Sequence, residues 1–270
     1  MFKNEWVRFG TSGEHLGLTT WPERATPPIP AIVVIQEAWG VDPHIEDVAA
    51  RFARAGYLTL APDLFAEHGT RPDPLSRPRL EALKQFINTM PPAAWTDPAA
   101  RDQALAALPE PARSNLSESF QALFTSVMSR IDAFVPGLLA AVEYLRGHPM
   151  SQTAKIGAVG YCLGGTLTAR LACACPHLSA AAMYYGGAPP LDAVANVTCP
   201  VLGFYGALDT RVNAGIADFA AAMERHHKRF EYHIYDGAPH AFFNDTRPSY
   251  NVRASRDAFA RTLELFRREL

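Results

Sequence analysis

Paired cysteines are absent from this chain of 270 residues. Its four cysteines are Cys162, Cys173, Cys175 and Cys199, and no C-x-x-C or zinc-ligand spacing joins them. The pattern excludes a disulfide scaffold and predicts no metal site and no cofactor. For Cys173, Cys175 and Cys199 the expected state is a small buried hydrophobe. Charge of one sign is also missing: 25 Lys and Arg stand against 27 Asp and Glu, for a formal net charge of -2. Nucleic acid and anionic membrane surfaces are therefore not expected partners. The opening residues, Met1 to Trp6, contain no basic stretch followed by an apolar run, so no signal peptide is predicted. No uninterrupted apolar run approaches the ~18 residues of a membrane-spanning helix. These absences predict a soluble, cytoplasmic protein, monomer or homodimer, with a small molecule as its partner.

What is present is a substantial core, since 48% of residues are hydrophobic. Trp6–Phe9 and Leu16–Thr20 read as a hairpin around Gly13-Glu14-His15. Ala31–Ile35 is continuously apolar, as expected of a strand buried on both faces of a parallel sheet. Asp42-Pro43 opens a helix that Gly56 ends, and Tyr57–Ala61 follows as a strand. After the middle of the chain the alternation resumes. Strands are predicted at 156–159, 180–185, 201–205 and 230–235, and helices at 163–173, 213–227 and 252–269. The fold class is α/β: a doubly wound, mostly parallel sheet in one domain spanning 1–270. Residues 66–129 break the rhythm. They are proline-rich and strand-free, with helices expected at 79–90, 97–108 and 117–128, the last continuing to Arg146 with a bend or break at Pro136. So long a strand-free insertion is read as a helical lid or cap; padding of the core or of an interface is the alternative.

The chemistry centres on Gly160-Tyr161-Cys162-Leu163-Gly164, between a short strand and a helix. Strand, sharp turn, helix is the context of the G-x-nucleophile-x-G elbow of α/β-hydrolases, here with sulfur in place of oxygen. A thiol at that helix N-terminus has its anion favoured by the dipole and by free backbone N–H groups. In this fold class the acid and the histidine follow the nucleophile in chain order, each after a strand. Asp209 follows 201–205 and His240 follows 230–235, so the expected triad is Cys162, His240 and Asp209. Two other acids compete for the role: Asp236, which lies in the turn beside His240, and Asp63, whose Pro62-Asp63 pair also makes a structural turn. The remaining histidines read as surface or capping residues. The loop after 31–35, Gln36-Glu37-Ala38-Trp39-Gly40, stands where the second oxyanion donor arises, making the N–H groups of Leu163 and Ala38 the candidate pair. Glu37 is unexpected beside an oxyanion hole, where its charge would repel; it either faces solvent or has a task. Trp39, Phe242 and Phe243 suggest an apolar acyl pocket, although core packing accounts for aromatics equally well, and Tyr161 is a further substrate-binding candidate.

Taken together, Gln36 to Val41, Gly56-Tyr57 through Ala61-Pro62-Asp63-Leu64-Phe65, Gly160 to Gly165, the Asp209 and His240 strand ends, and the tail from Arg247-Pro248-Ser249-Tyr250 to Phe266 resemble the dienelactone hydrolase family. The resemblance covers most of the chain outside about 66–129. It implies hydrolysis of an ester or lactone through an acyl-thioenzyme, completed by water or by the released enolate acting as base. It also implies a task for Glu37: a resting thiol hydrogen-bonds toward it, and substrate binding displaces the carboxylate as the Cys–His ion pair forms. Family members hold an acidic lactone with arginines, one of them four residues past the catalytic histidine. Asn244 stands there, so the clamp would have to come from Arg247 or from Arg71, Arg77 or Arg79 in the insertion. A broad short-chain aryl carboxylesterase is the alternative substrate reading. A thiol-based redox or acyl-transfer protein is the alternative from another class, and a non-catalytic binder is disfavoured by the complete triad.

Overall fold

In the computed structural model, which describes residues 1–90 and 97–270, eight strands form one sheet. They are β1 (Phe2–Phe9), β2 (His15–Pro22), β3 (Ala31–Ile35), β4 (Leu58–Pro62), β5 (Ile156–Tyr161), β6 (Leu178–Tyr184), β7 (Val201–Gly206) and β8 (Phe230–Tyr235), in the order β1-β2-β4-β3-β5-β6-β7-β8. The β1–β2 and β2–β4 pairs are antiparallel and all others parallel. The fold is therefore the predicted α/β class, with the strand order reversing beside β3 and β5.

The apolar run of β3 is buried on both faces, as its composition requires. Val33 and Ile35 join one core cluster with Leu58, Ala158 and Met183, whereas Ile32 and Val34 join a second with Val159, Tyr184 and Phe204. Helix α1 (Pro43–Arg54) covers the second face through Ile45, Val48 and Phe52. Its start is set by the Asp42 carboxylate, which accepts from the Ile45 N–H at 3.0 Å. The chain leaves the helix through Gly56 at φ +100°, a conformation natural to glycine.

The insertion contributes α2 (Arg77–Thr89), α3 (Pro98–Ala106) and α4 (Ala112–Phe120), and Pro91 and Pro92 lie outside the described residues. Leu80, Leu83, Ile87, Leu105 and Leu116 from these helices belong to the same core cluster as Trp39 and Leu163. A buried ion pair pins α2 to the start of α1: Lys84 Nζ lies 3.0 Å from Asp42 Oδ2, with both side chains nearly inaccessible. Lys84→Ala would leave that carboxylate buried without its cation. It should cost about 3–5 kcal/mol in urea unfolding, and a loss below about 1 kcal/mol would place the pair in effective contact with solvent.

Two expectations for the helices need correction. Pro136 does not bend the chain; it sits in the first turn of α5 (Val135–Gly147), where its missing N–H disrupts nothing. The change of direction lies earlier, at Arg130 (φ -119°, ψ 31°), within residues 128–134 in 3-10 geometry, which follow 121–127 in π-helical geometry. By length and composition alone, an 18-residue window within Ala112–Gly147 is apolar enough to span a membrane, at mean hydropathy 1.3. A count of uninterrupted apolar residues misses it. Leu138, Ala141, Val142 and Leu145 of this stretch are buried in the core. The helix expected over 213–227 is two helices, α7 (Thr210–Asn213) and α8 (Ile216–Arg225), separated at Gly215. Asn213 turns its amide back to the Gly206 carbonyl at 2.8 Å, which ties α7 to the end of β7. Helices α6 (Leu163–Ala174) and α9 (Val252–Glu269) match expectation closely.

Candidate active site

The carboxyl ends of β3, β5, β6, β7 and β8 converge on one rim of the sheet, where sites of open α/β folds form. Cys162 leads directly into α6 with φ 54° and ψ -110°, a strained conformation for a side-chain-bearing residue. The flanking glycines make it possible: a Cβ on Gly160 would stand 2.1 Å from the Gly164 carbonyl oxygen, and one on Gly164 would stand 2.2 Å from that of Ile35. The Cys162 N–H donates to the Tyr184 carbonyl at 3.0 Å, and its own carbonyl accepts from Thr166. The sulfur is thereby held out at the helix N-terminus.

His240 and Asp209 reach it from neighbouring loops. The Ala207 N–H donates to the Tyr235 carbonyl and the Leu208 N–H to that of Ala238, which stitches the loops after β7 and β8 together. His240 Nε2 lies 3.1 Å from Cys162 Sγ, and its Nδ1 is hydrogen-bonded to Asp209 Oδ2. Asp209 Oδ1 also caps α7 by accepting from the Val212 N–H. Burial disfavours the His240 imidazolium, but the contacts with Cys162 and Asp209 outweigh it and hold the ring's pKa up at about 10. Asp209 is pulled down in turn: burial opposes its charge, and the His240 contact overrides burial.

Glu37 does not face solvent, since only 2% of it is exposed. Nor does it bond the thiol, which the resemblance implies for the resting state. Its Oε1 accepts from the Tyr185 hydroxyl at 2.9 Å and its Oε2 from the Asn244 amide at 2.7 Å. Asn244, at the position where the resemblance implies an arginine, thus serves the glutamate. Tyr185 is a site residue that sequence reasoning does not single out. It follows β6 at the same rim, with φ 39°, and its ring meets the His240 ring edge-on at 5.1 Å. Its position one residue past a strand end is the available signal. Among the described residues no backbone carbonyl receives the Ala38 N–H, and Leu163 opens α6, where no helical carbonyl precedes it.

The pocket residues divide. Trp39 lies under the Arg247 guanidinium, 5.4 Å from the ring centre, and Arg247 donates to Asn88 Oδ1 of α2 at 3.1 Å. Tyr161, Phe242 and Phe243 are corrected: all three are fully buried in the second core cluster, beneath the rim, and present no surface to a substrate. Strand alternation sends the Tyr161 side chain to the α1 face, where it stacks on Phe243. The arginines of the insertion are engaged elsewhere: Arg71 with Asp63, Arg77 with Glu46, and Arg79 with Asp73 and Glu118. Asp63 is therefore the structural turn residue that the sequence allowed. Among the described residues no cluster of His, Cys, Asp and Glu has metal-binding geometry.

The sequence model of the dienelactone hydrolase family matches residues 17–270. The chain belongs to that family. It is accordingly an enzyme of hydrolase type. Among its relatives, the "Putative carboxymethylenebutenolidase" of Saccharolobus solfataricus is 33% identical over 247 residues, covering 90% of this chain and 92% of that protein. The "Probable 2-oxo-3-(5-oxofuran-2-ylidene)propanoate lactonase" of Bradyrhizobium sp is 28% identical over 272 residues, covering 96% and 92%. Among solved structures, the "Putative Dienelactone Hydrolase" of Klebsiella pneumoniae superposes with a TM-score of 0.67 at 24% identity, over 99% of each chain. That likeness establishes the shared fold.

Proposed function

We propose that this dienelactone hydrolase family member cleaves carboxylic esters or lactones through Cys162, His240 and Asp209, with an acyl-thioenzyme intermediate. The observation that carries the reading is the unbroken line from Sγ through the imidazole to the carboxylate. The Cys162 thiolate attacks the carbonyl carbon, and the developing oxyanion accepts from the N–H groups of Leu163 and Ala38. The leaving alcohol or enol takes its proton from the His240 imidazolium. Acylation then consumes the thiolate, which is the chief influence raising the His240 pKa. The ring stays neutral and becomes a base for the water that attacks the thioester; the sulfur departs as thiolate and the acid product is released. The proton taken from water returns the ring to imidazolium, and the ion pair is restored.

We assign Glu37 the switch that the family resemblance implies, and its bonds to Tyr185 and Asn244 support reading the observed contact as the displaced one. With the carboxylate held by Tyr185 and Asn244, the thiol is free to pair with His240. Arg247, half-buried over the ring of the buried Trp39, is the cation we assign to an acidic substrate. Four free cysteines suit a reducing compartment, in keeping with the cytoplasm.

Rapid acid quenching during turnover of nitrophenyl acetate, followed by peptide mass spectrometry, tests the reading. An acetyl group on Cys162 is expected. Acetyl on another residue, or none while turnover proceeds at full rate, would remove the thioester from the scheme.

A further inference from the structure

The two edges of the sheet are built differently. On β1, half of the residues are charged or polar (Lys3, Asn4, Glu5 and Arg8), and a guanidinium stands over each of its exposed aromatics, Arg54 over Phe2 and Arg77 over Trp6. Edges treated in this way resist pairing with other chains. On β8, Phe230-Glu231-Tyr232-His233-Ile234-Tyr235, there is no lysine, no proline and no bulge. Among the described residues it pairs with β7 alone, in unbroken register from Phe230 to Tyr235. Tyr232 and Ile234 are 41% and 47% exposed.

The backbone direction follows from the ladder. The carbonyls of Arg229 and Tyr235 accept from Val201 and Ala207 on the β7 side. Alternation then aims the N–H and C=O groups of Phe230, Tyr232 and Ile234 away from the sheet, where they need partners. We propose that a second copy of this chain supplies them, with β8 pairing antiparallel to its counterpart about a two-fold axis through Tyr232, so that the two sheets become continuous.

The side chains select this register. With Tyr232 opposite its own copy, Phe230 faces Ile234 of the second copy on one side of the ribbon, and Glu231 faces His233 of the second copy on the other. Each contact occurs twice by symmetry. A shift of one strand repeat in one direction sets Glu231 against itself, two carboxylates in opposition. The same shift in the other direction sets His233 against itself and Glu231 against Tyr235. Only the central register unites apolar with apolar and carboxylate with imidazole.

Analytical ultracentrifugation of the full chain at micromolar concentration tests the proposal, with circular dichroism to check folding. The wild type is expected to sediment as a dimer. Ile234→Lys should raise the dimer Kd by at least roughly 100-fold, because the change acts at two equivalent places. His233→Glu should weaken the dimer by setting two carboxylates opposite each other, and Glu231→Lys by removing the carboxylate–imidazole contact. Mixing those two variants should form a heterodimer, in which Lys meets Glu and His meets Glu. The doubly exchanged chain should self-associate again. A monomeric wild type would overturn the proposal, as would a dimer indifferent to all three single changes or a failure of the mixed variants to associate. None of these readouts depends on ester hydrolysis, so the assembly and the catalytic reading stand or fall separately.

Discussion

Cys162→Ala should lower kcat/KM for a nitrophenyl ester by roughly 10,000-fold or more, since loss of the nucleophile leaves only the oxyanion donors and binding. The fold should survive, because the sulfur is partly exposed and alanine can occupy the same elbow conformation. Circular dichroism beside steady-state kinetics separates the two outcomes. Cys162→Ser is the sharper variant. Hydroxyl and thiol are similar in size, but at the same distance from His240 an alkoxide is far harder to form than a thiolate, so activity should fall by at least roughly 100-fold. A serine form that works nearly as well would show that the site is not built around a pre-formed thiolate–imidazolium pair.

Asp209→Asn carries the second large effect, a loss of roughly 1,000- to 10,000-fold in kcat/KM. The substituted amide keeps a side-chain oxygen able to cap α7, so the local fold should persist. What disappears is the carboxylate that orients Nδ1–H and favours the imidazolium. The pH profile adds a readout that simple misfolding would not produce. In the wild type the pKa of His240 is raised from 6.5 to about 10, so the imidazolium persists through neutral pH and is lost as pH rises through about 10. The basic limb of kcat/KM should therefore lie near that same value, about 10. Removing one of the two anions that raise this pKa should move the limb to lower pH. An unmoved limb in Asp209→Asn would mean that Asp209 does not act on the ring.

The constellation proposed to be catalytic was legible for a reason of chain order. Elbow, acid and histidine each follow a strand whose apolar run announces it, and parallel strands deliver their carboxyl ends to one rim. Cys162, Asp209 and His240 could be named from local pattern alone because each lies beside its own strand. Glu37 could be flagged but not placed. Its partners are 148 and 207 residues away along the chain, Tyr185 and Asn244, and no periodicity encodes such pairings. Tyr161 and Phe242 were misjudged for a related reason: being next to a catalytic residue in sequence does not fix which face a side chain takes, and here each turns into the core.

Local sequence determined the strands, the cap of α1, the elbow and the order of the reacting groups, because those depend on backbone preferences and on burial patterns repeating over a few residues. Folding in three dimensions decided the rest. It drew the Lys84–Asp42 pair into the core, engaged Arg71, Arg77 and Arg79 away from the site, set Arg247 over Trp39, and left one edge strand of the sheet unguarded. These are contacts between segments far apart in the chain. Their energies depend on shape and distance after collapse, which composition and spacing do not contain.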